Sequence, residues 1–271
     1  MVITSPGNKT LKTIRRLRQS KGDHILLEGA HLITEALDAG LVLETVLATP
    51  ELCAQPRYQP LLERLPRPPL LVAARLLDQL ADADSPRGLL AVARLSRGGV
   101  TALPRRRDGI YLFCQGLQDP GNLGALARVA EAAGCAGLAL SAGSVHPNHP
   151  RALRASTGSL LRLPVAAGCT PEQLQEHLKE LDPGWLALVP RGGEDLYSAS
   201  LDGALILLLG AEGPGLDADL VARAHRRLTI PLAPPVESLN ATVAAALPLF
   251  EIRRRRASAA SGPSNQGAPT A

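Results

Sequence analysis

Apolar positions along this chain fall into short runs separated by amphipathic stretches and turn residues, the pattern of alternating strands and helices. Residues 5–20 place Leu11, Ile14 and Leu17 on one stripe with cations on the others, which predicts a helix. Strands are predicted at 24–27, 43–48, 70–72 and 88–94. Between them come a helix over 28–39 stopped by Gly40, a helix held between prolines within 50–69, and a helix over 74–81. The alternation predicts a small α/β domain with its own core over residues 1–96.

Residues 97–108 break the pattern with Gly98, Gly99, Pro104 and the arginines 105–107, and read as a linker. A second α/β domain is predicted over 109–256. It opens with a strand at 110–114, a loop ending at Pro120 and Gly121, and a helix to Ala133 with Leu123, Leu126, Ala127 and Ala130 toward the sheet. Strands at 137–140, 163–166 and 185–189 and a helix over 171–181 follow. The apolar run 205–209 has the length and flanks of a buried strand and ends in Gly210, Gly213 and Gly215. A strand at 228–230 leads into a Pro-rich loop. Ser238, placed as the N-cap, Leu239 and Asn240 then open an apolar helix over 241–250. Two strand ends, two irregular loops and a helix start thus converge on one crevice, and open α/β sheets take ligands at the carboxyl ends of their strands. Residues 257–271 are small, polar and rich in Pro and Gly, and read as a disordered tail.

Composition narrows the class. At 271 residues, 45% hydrophobic and 20% charged, the chain buries a sizeable core. No apolar run reaches the roughly 18 residues of a membrane span, and residues 1–20 lack the apolar core of a secretory signal, so a cytoplasmic protein is expected. Cys53, Cys114, Cys135 and Cys169 are scattered singly, which argues against a disulfide framework or a zinc site. His146 and His149 have no third ligand nearby, and no metal is expected.

Charge is distributed unevenly. The net charge is +4, yet residues 101–252 hold 12 lysines and arginines against 15 aspartates and glutamates. Positive charge collects in Lys9, Lys12, Arg15, Arg16, Arg18 and Lys21 and again in residues 253–256. Such clusters suit a phosphate backbone, and equally a solvated helix face with a basic tail. In 151–159 (RALRASTGS), Arg151 and Arg154 stand beside three hydroxyls, a set that suits phosphate or ribose and also an ordinary amphipathic helix. Aromatic residues make up only 2% of the chain, so it lacks the stacking platforms typical of sequence-specific single-strand nucleic-acid readers.

Three segments carry a resemblance when read together: DPGNLGALARVAEAAG at 119–134, LLLGAEGPGL at 207–216 and IPLAPPVESLN at 230–240. In order and spacing they resemble the three motifs of the SpoU/TrmH family of RNA ribose 2′-O-methyltransferases, within the SPOUT superfamily. RASTGSLLRLPV at 154–165 looks like that family's intermediate segment, and residues 5–37 are similar to its substrate-binding domain, which resembles a small ribosomal protein. The resemblance implies a trefoil-knotted α/β methyltransferase domain, S-adenosylmethionine as cofactor and a homodimer with sites near the interface. Pattern reasoning would not propose a knot. A Rossmann enzyme would need a G-x-G-x-x-G turn after the 110–114 strand, and GAEGPG lacks the Lys-Ser/Thr of a P-loop.

The same resemblance implies catalytic roles for Asn122, Arg128, Glu212, Ser238 and Asn240, and cofactor contacts at Gly210, Ile230 and Leu239. RNA would be held by Lys9, Lys12, Arg15, Arg16, Arg151 and Arg154. Ribosomal RNA is the first expectation and transfer RNA the second. The chain departs from the family in carrying Leu232 and Pro234 where Met and Gly are usual, and Ala241 where Val often stands. Pro234 and Pro235 remove two N–H donors. A guanidinium stays protonated and makes a poor general base, so Arg128 is read as anchoring phosphate and stabilising the developing alkoxide. Glu212 is read as holding a neighbouring cation, as capping the following turn, or as a structural hydrogen-bond partner. The competing reading is a non-catalytic RNA-binding relative that acts in ribosome assembly.

Overall fold

A computed structural model describes residues 2–19, 22–81 and 88–260. The N-terminal domain runs α1 (Lys9–Gln19), β1 (His24–Glu28), α2 (Ala30–Asp38), β2 (Leu43–Ala48), α3 (Pro50–Cys53), α4 (Gln59–Glu63), β3 (Leu70–Leu71), α5 (Ala74–Asp78) and β4 (Leu89–Arg94). The C-terminal domain continues with β5 (Ile110–Cys114), α6 (Pro120–Ala133), β6 (Gly137–Leu140), α7 (Pro150–Ser156), α8 (Ser159–Arg162), β7 (Val165–Ala167), α9 (Pro171–Leu178) and β8 (Gly184–Leu188). It ends with β9 (Glu194–Asp195), β10 (Leu205–Leu209), α10 (Ala218–Arg223), β11 (Arg226–Thr229) and α11 (Ala241–Ala260).

The first sheet has the order β1-β4-β2-β3, antiparallel except where β3 joins β2. Side chains alternate across it as the pleat requires. Leu26, Leu47 and Leu90 face a core with Leu11 and Ile14 of α1 and Leu76 and Leu77 of α5. Ile25, Leu27, Ala48 and Leu89 face the opposite core, with Ile33 of α2 and Leu52 of α3. That second core runs on without a break into the C-terminal domain.

The second sheet is wholly parallel, in the order β7-β6-β5-β10-β8-β11-β9. Its central strands are covered on both faces, which is why β5, β6 and β10 are continuous buried runs rather than alternating ones. Helices α6, α7, α8 and α11 cover one face and α9 and α10 the other. Gly124 lets α6 approach α7. A Cβ there would sit 2.5 Å from the Ala152 carbonyl oxygen and from the Ala155 Cβ.

Several elements differ from the sequence expectation. The stretch 50–69 holds two short α-helices joined by a 3-10 turn at Pro56–Tyr58, because Pro50, Pro56 and Pro60 each sit in a first turn and cannot continue a preceding helix. Residues 97–108 are docked rather than slack. Leu103 is buried, Tyr111 donates to the Pro104 carbonyl at 2.6 Å, and the Arg106 N–H donates to the Tyr111 hydroxyl at 3.0 Å. The last helix continues ten residues past Phe250, through Ala260, so residues 257–260 are helical. Ser20, Lys21 and the tail from 261 onward lie outside the described residues. Arg253 donates to Ala132 O at 2.8 Å, Arg255 to Tyr197 O at 2.7 Å and Arg256 to Asp108 O at 2.5 Å. These bonds tie the helix end to three neighbouring segments. Among the described residues no helix is long and apolar enough to cross a membrane.

A polar clamp joins the domains. Arg97 donates from Nε to Asn148 Oδ1 at 2.8 Å and from Nη2 to Leu160 O at 2.7 Å. Asn148 Nδ2 donates in turn to Leu95 O at 2.9 Å. Burial pushes the Arg97 guanidinium down to about 10. Arg154 pairs with Glu28 at 3.1 Å, and Arg162 reaches both Glu131 of α6 and Glu35 of α2.

Candidate active site

The carboxyl ends of β8, β10 and β11 open onto a cavity of about 580 Å³. Leu188, Val189 and Pro190 form one wall, residues 209–216 a second, and Leu228, Ile230 and Leu232 with residues 237–241 a third. The loop after β10 folds back on itself, with a bridge from Ala211 to Gly215. Gly210 permits that turn, since a Cβ there would lie 2.1 Å from the Gly215 carbonyl carbon.

Two helices begin at the rim. Asp119 caps α6 by accepting from the Asn122 N–H at 2.7 Å. Asn240 caps α11 by accepting on Oδ1 from the Thr242 N–H at 2.9 Å, the usual geometry between a cap and the second helical residue. The N-cap is therefore Asn240 and not Ser238, because the first helical residue is Ala241. With its Oδ1 engaged, Asn240 can turn only Nδ2 into the site. That amide donates to Asn122 Oδ1 at 3.2 Å and to Glu212 Oε1 at 3.3 Å. Asn122 Nδ2 donates to the same Glu212 oxygen at 2.5 Å. Two amides thus converge on one oxygen of Glu212, and Oε2 carries no hydrogen bond among the described residues. The positive ends of two helix dipoles also face this carboxylate. Of the readings left open for Glu212, the structure shows the hydrogen-bonded one.

The residues named from sequence separate in the structure. Asn122, Glu212 and Asn240 meet as described. Gly210, Ile230, Ser238 and Leu239 line the cavity. Arg128 is not brought to this cluster. It is exposed on the outer side of α6 and makes no hydrogen bond or ion pair among the described residues. Arg151 is exposed on α7, and Arg154 is engaged by Glu28. Lys9, Lys12 and Arg16 are exposed on α1 in the other domain, where Arg15 donates to Gln79 at 3.2 Å. His146 and His149 each accept a backbone N–H on Nδ1 at 3.2 Å, and no metal-binding cluster occurs among the described residues.

Thr242 is a site residue that sequence reasoning missed. It fixes the Asn240 amide, and its hydroxyl reaches Asn122 O at 3.4 Å. Its position two residues after an Asn at a helix start was the available signal.

The cavity suits a nucleoside-sized ligand. Its volume falls within the roughly 300–1,000 Å³ of small-molecule sites, and its walls are apolar with a few convergent polar groups. Among the described residues, the backbone N–H groups of Ser238 and Leu239 make no hydrogen bond and remain as donors.

A sequence profile of the SpoU rRNA methylase family matches residues 109–250. The chain belongs to that family. A profile of an MRM3-like substrate binding domain matches residues 8–91. An uncharacterized tRNA/rRNA methyltransferase of Synechocystis is 34% identical, over 94% of each chain. The 23S rRNA (guanosine(2553)-2′-O)-methyltransferase of Bacillus subtilis is 26% identical, over 93% of this chain and 98% of its own. Among solved structures, the AdoMet-bound rRNA methyltransferase of Sinorhizobium meliloti superposes with a TM-score of 0.81 at 26% identity, covering 94% of this chain and 98% of that one.

Proposed function

We propose that this chain transfers a methyl group from S-adenosylmethionine to a ribose 2′-hydroxyl of structured ribosomal RNA. The observation that carries the reading is the hydrogen-bonded cluster of Asn122, Glu212 and Asn240 on the rim of a ligand-sized cavity, built from the three segments that mark the family. Gly210, Ile230 and Leu239 would hold the cofactor, with apolar surface for the adenine and backbone groups for its polar edges. When bound, S-adenosylmethionine supplies a methyl group already activated by its sulfonium.

The chain's own contribution is alignment and charge. The two asparagine amides fix Glu212 so that its free Oε2 can accept from a substrate hydroxyl. Ser238 adds a hydroxyl at the same rim. Arg128, which makes no hydrogen bond or ion pair among the described residues, would take an RNA phosphate with its two-pronged donor edge. Lys9, Lys12, Arg15 and Arg16 on α1, with Arg151 on α7, would hold the RNA, and Arg154 would give up only part of its donor set to Glu28. A homodimer is supported by Val243, Leu247 and Phe250, which form one stripe along α11 with Val243 and Phe250 exposed at 47% and 46%. A trefoil threading of this domain is proposed from the family to which the chain belongs. The cytoplasm is the proposed site of action.

Calorimetric titration with S-adenosylmethionine separates the enzyme from a non-catalytic RNA-binding relative. Stoichiometric binding is expected. A chain that binds RNA and shows no heat with the cofactor would contradict the catalytic reading.

A further inference from the structure

Two arginine runs stand apart from the cavity and take no part in it. Residues 105–107 precede β5, and residues 253–256 end α11. The fold joins them, because Arg256 donates from Nη1 to Asp108 O and from Nη2 to Gly203 O, each at 2.5 Å. Asp108 and Gly203 lie just before β5 and β10, at the amino ends of the parallel strands. Arg253 adds a bond to Ala132 O, at the end of α6 that lies away from the cavity rim. The combined cluster therefore occupies the pole of the sheet opposite the cavity. Five-residue strands at about 3.3 Å per residue set the two poles roughly 16 Å apart.

The charge at this pole is only partly compensated: Asp108, Asp182 and Asp202 stand just before β5, β8 and β10, and among the described residues none of the three forms an ion pair with an arginine of the two runs. Arg253 and Arg256 bond to neutral carbonyls, which hold a guanidinium without cancelling its charge. Arg106 and Arg107 are exposed, and their side chains make no hydrogen bond or ion pair among the described residues. Arg105 faces Glu180 at 3.8 Å, and Arg254 and Arg255 share Glu251. Asp108 is the one carboxylate within the 105–108 turn. Four guanidiniums, Arg106, Arg107, Arg253 and Arg256, thus have no carboxylate partner among the described residues. Sites that present fixed arginines without acidic partners suit phosphodiester oxygens, which guanidinium grips in pairs.

We propose that this pole is a second RNA-binding surface, which takes backbone phosphates of the same folded RNA whose ribose enters the cavity. The proposal rests on the RNA methyltransferase reading and extends it. A nucleotide or short single strand would engage the cavity pole alone, whereas a large folded RNA reaches both. Discrimination in favour of large RNA then comes from contacts that read no base.

The test uses the full chain and the variant Arg106→Gln/Arg107→Gln, which removes two side chains that hold nothing in the fold. Affinity for a large-subunit ribosomal RNA transcript is measured from about 50 to about 300 mM KCl, alongside cofactor affinity by calorimetry. Each lost phosphate contact lowers the slope of log K against log salt by roughly 0.7–0.9. The expected result is a slope smaller by about 1.5 and an affinity lower by about tenfold at the lowest salt, with cofactor affinity and Tm unchanged. Arg106→Glu/Arg107→Glu should weaken binding further. An unchanged slope and affinity in both variants would overturn the second surface while leaving the methyltransferase reading intact. Wild-type protein that binds cofactor but no RNA at any salt would overturn both.

Discussion

Asn240 Nδ2 lies 3.2 Å from Asn122 Oδ1, across 118 residues of sequence, and both amides hold one oxygen of Glu212. Each asparagine is fixed at the first turn of a helix, so the register between α6 and α11 sets the geometry at the cavity rim.

Asn240→Asp tests that relationship. Aspartate is as good a cap as asparagine, so the α11 start should hold. The donor to Glu212 is lost and a second carboxylate faces it, a change that costs on the order of 1–3 kcal/mol within the cluster. Turnover should fall by about tenfold to a hundredfold, with Tm changed by only a few degrees. A variant with wild-type turnover would remove the cluster from the account.

Arg128→Lys keeps the charge and loses the fork. Because Arg128 makes no hydrogen bond or ion pair among the described residues, Tm and cofactor affinity should not move, while turnover on RNA drops by about tenfold or more. Full turnover would show that two-pronged phosphate binding is not its role.

Gly210→Ala puts a methyl group 2.1 Å from a backbone carbon in the turn that forms one cavity wall. The loop must shift, and cofactor affinity measured by calorimetry should fall by at least about tenfold, since backbone contacts lose their geometry with small displacements. Unchanged affinity would mean that this turn does not shape the cofactor site.

Acid should loosen the domain clamp at Glu131. The Arg162 hydrogen bond holds the Glu131 carboxyl below its ordinary value, against an opposing effect of burial. A depressed folded pKa gives stability that is complete above the unfolded value of about 4.3 and is lost as pH falls through the folded one. Tm should therefore stay level from pH 7 to about 5 and decline below about pH 4. Arg162→Met should flatten that decline, and an identical acid profile in the variant would contradict the assignment.

Much of this was legible in the chain. The runs 110–114 and 205–209 became β5 and β10 with the same ends, because a parallel strand buried on both faces is uniformly apolar and stops at the first turn residue. The three motif segments were recognisable by their residues and order, while the caps that fix two of them, Asp119 and Asn240, appear only in the structure. What stayed hidden depends on distant partners. The arginines 253–256 read as a solvated basic block, yet three of them bind carbonyls 53 to 148 residues away, which no local pattern encodes. Glu212 was ambiguous for the same reason, since its two amide donors come from 90 and 28 residues away. Ser238 was misplaced as the cap because the sequence offers Ser and Asn two positions apart. Only the start of α11 at Ala241 decides between them.

The most direct test of the central claim is methyl incorporation from labelled S-adenosylmethionine into total RNA from a strain that lacks this protein, mapped at ribose positions. The account predicts incorporation at a ribose 2′-oxygen of ribosomal RNA, lost in Arg128→Ala and in Asn240→Ala. Incorporation into a base, or none at all from a chain that binds RNA, would contradict it.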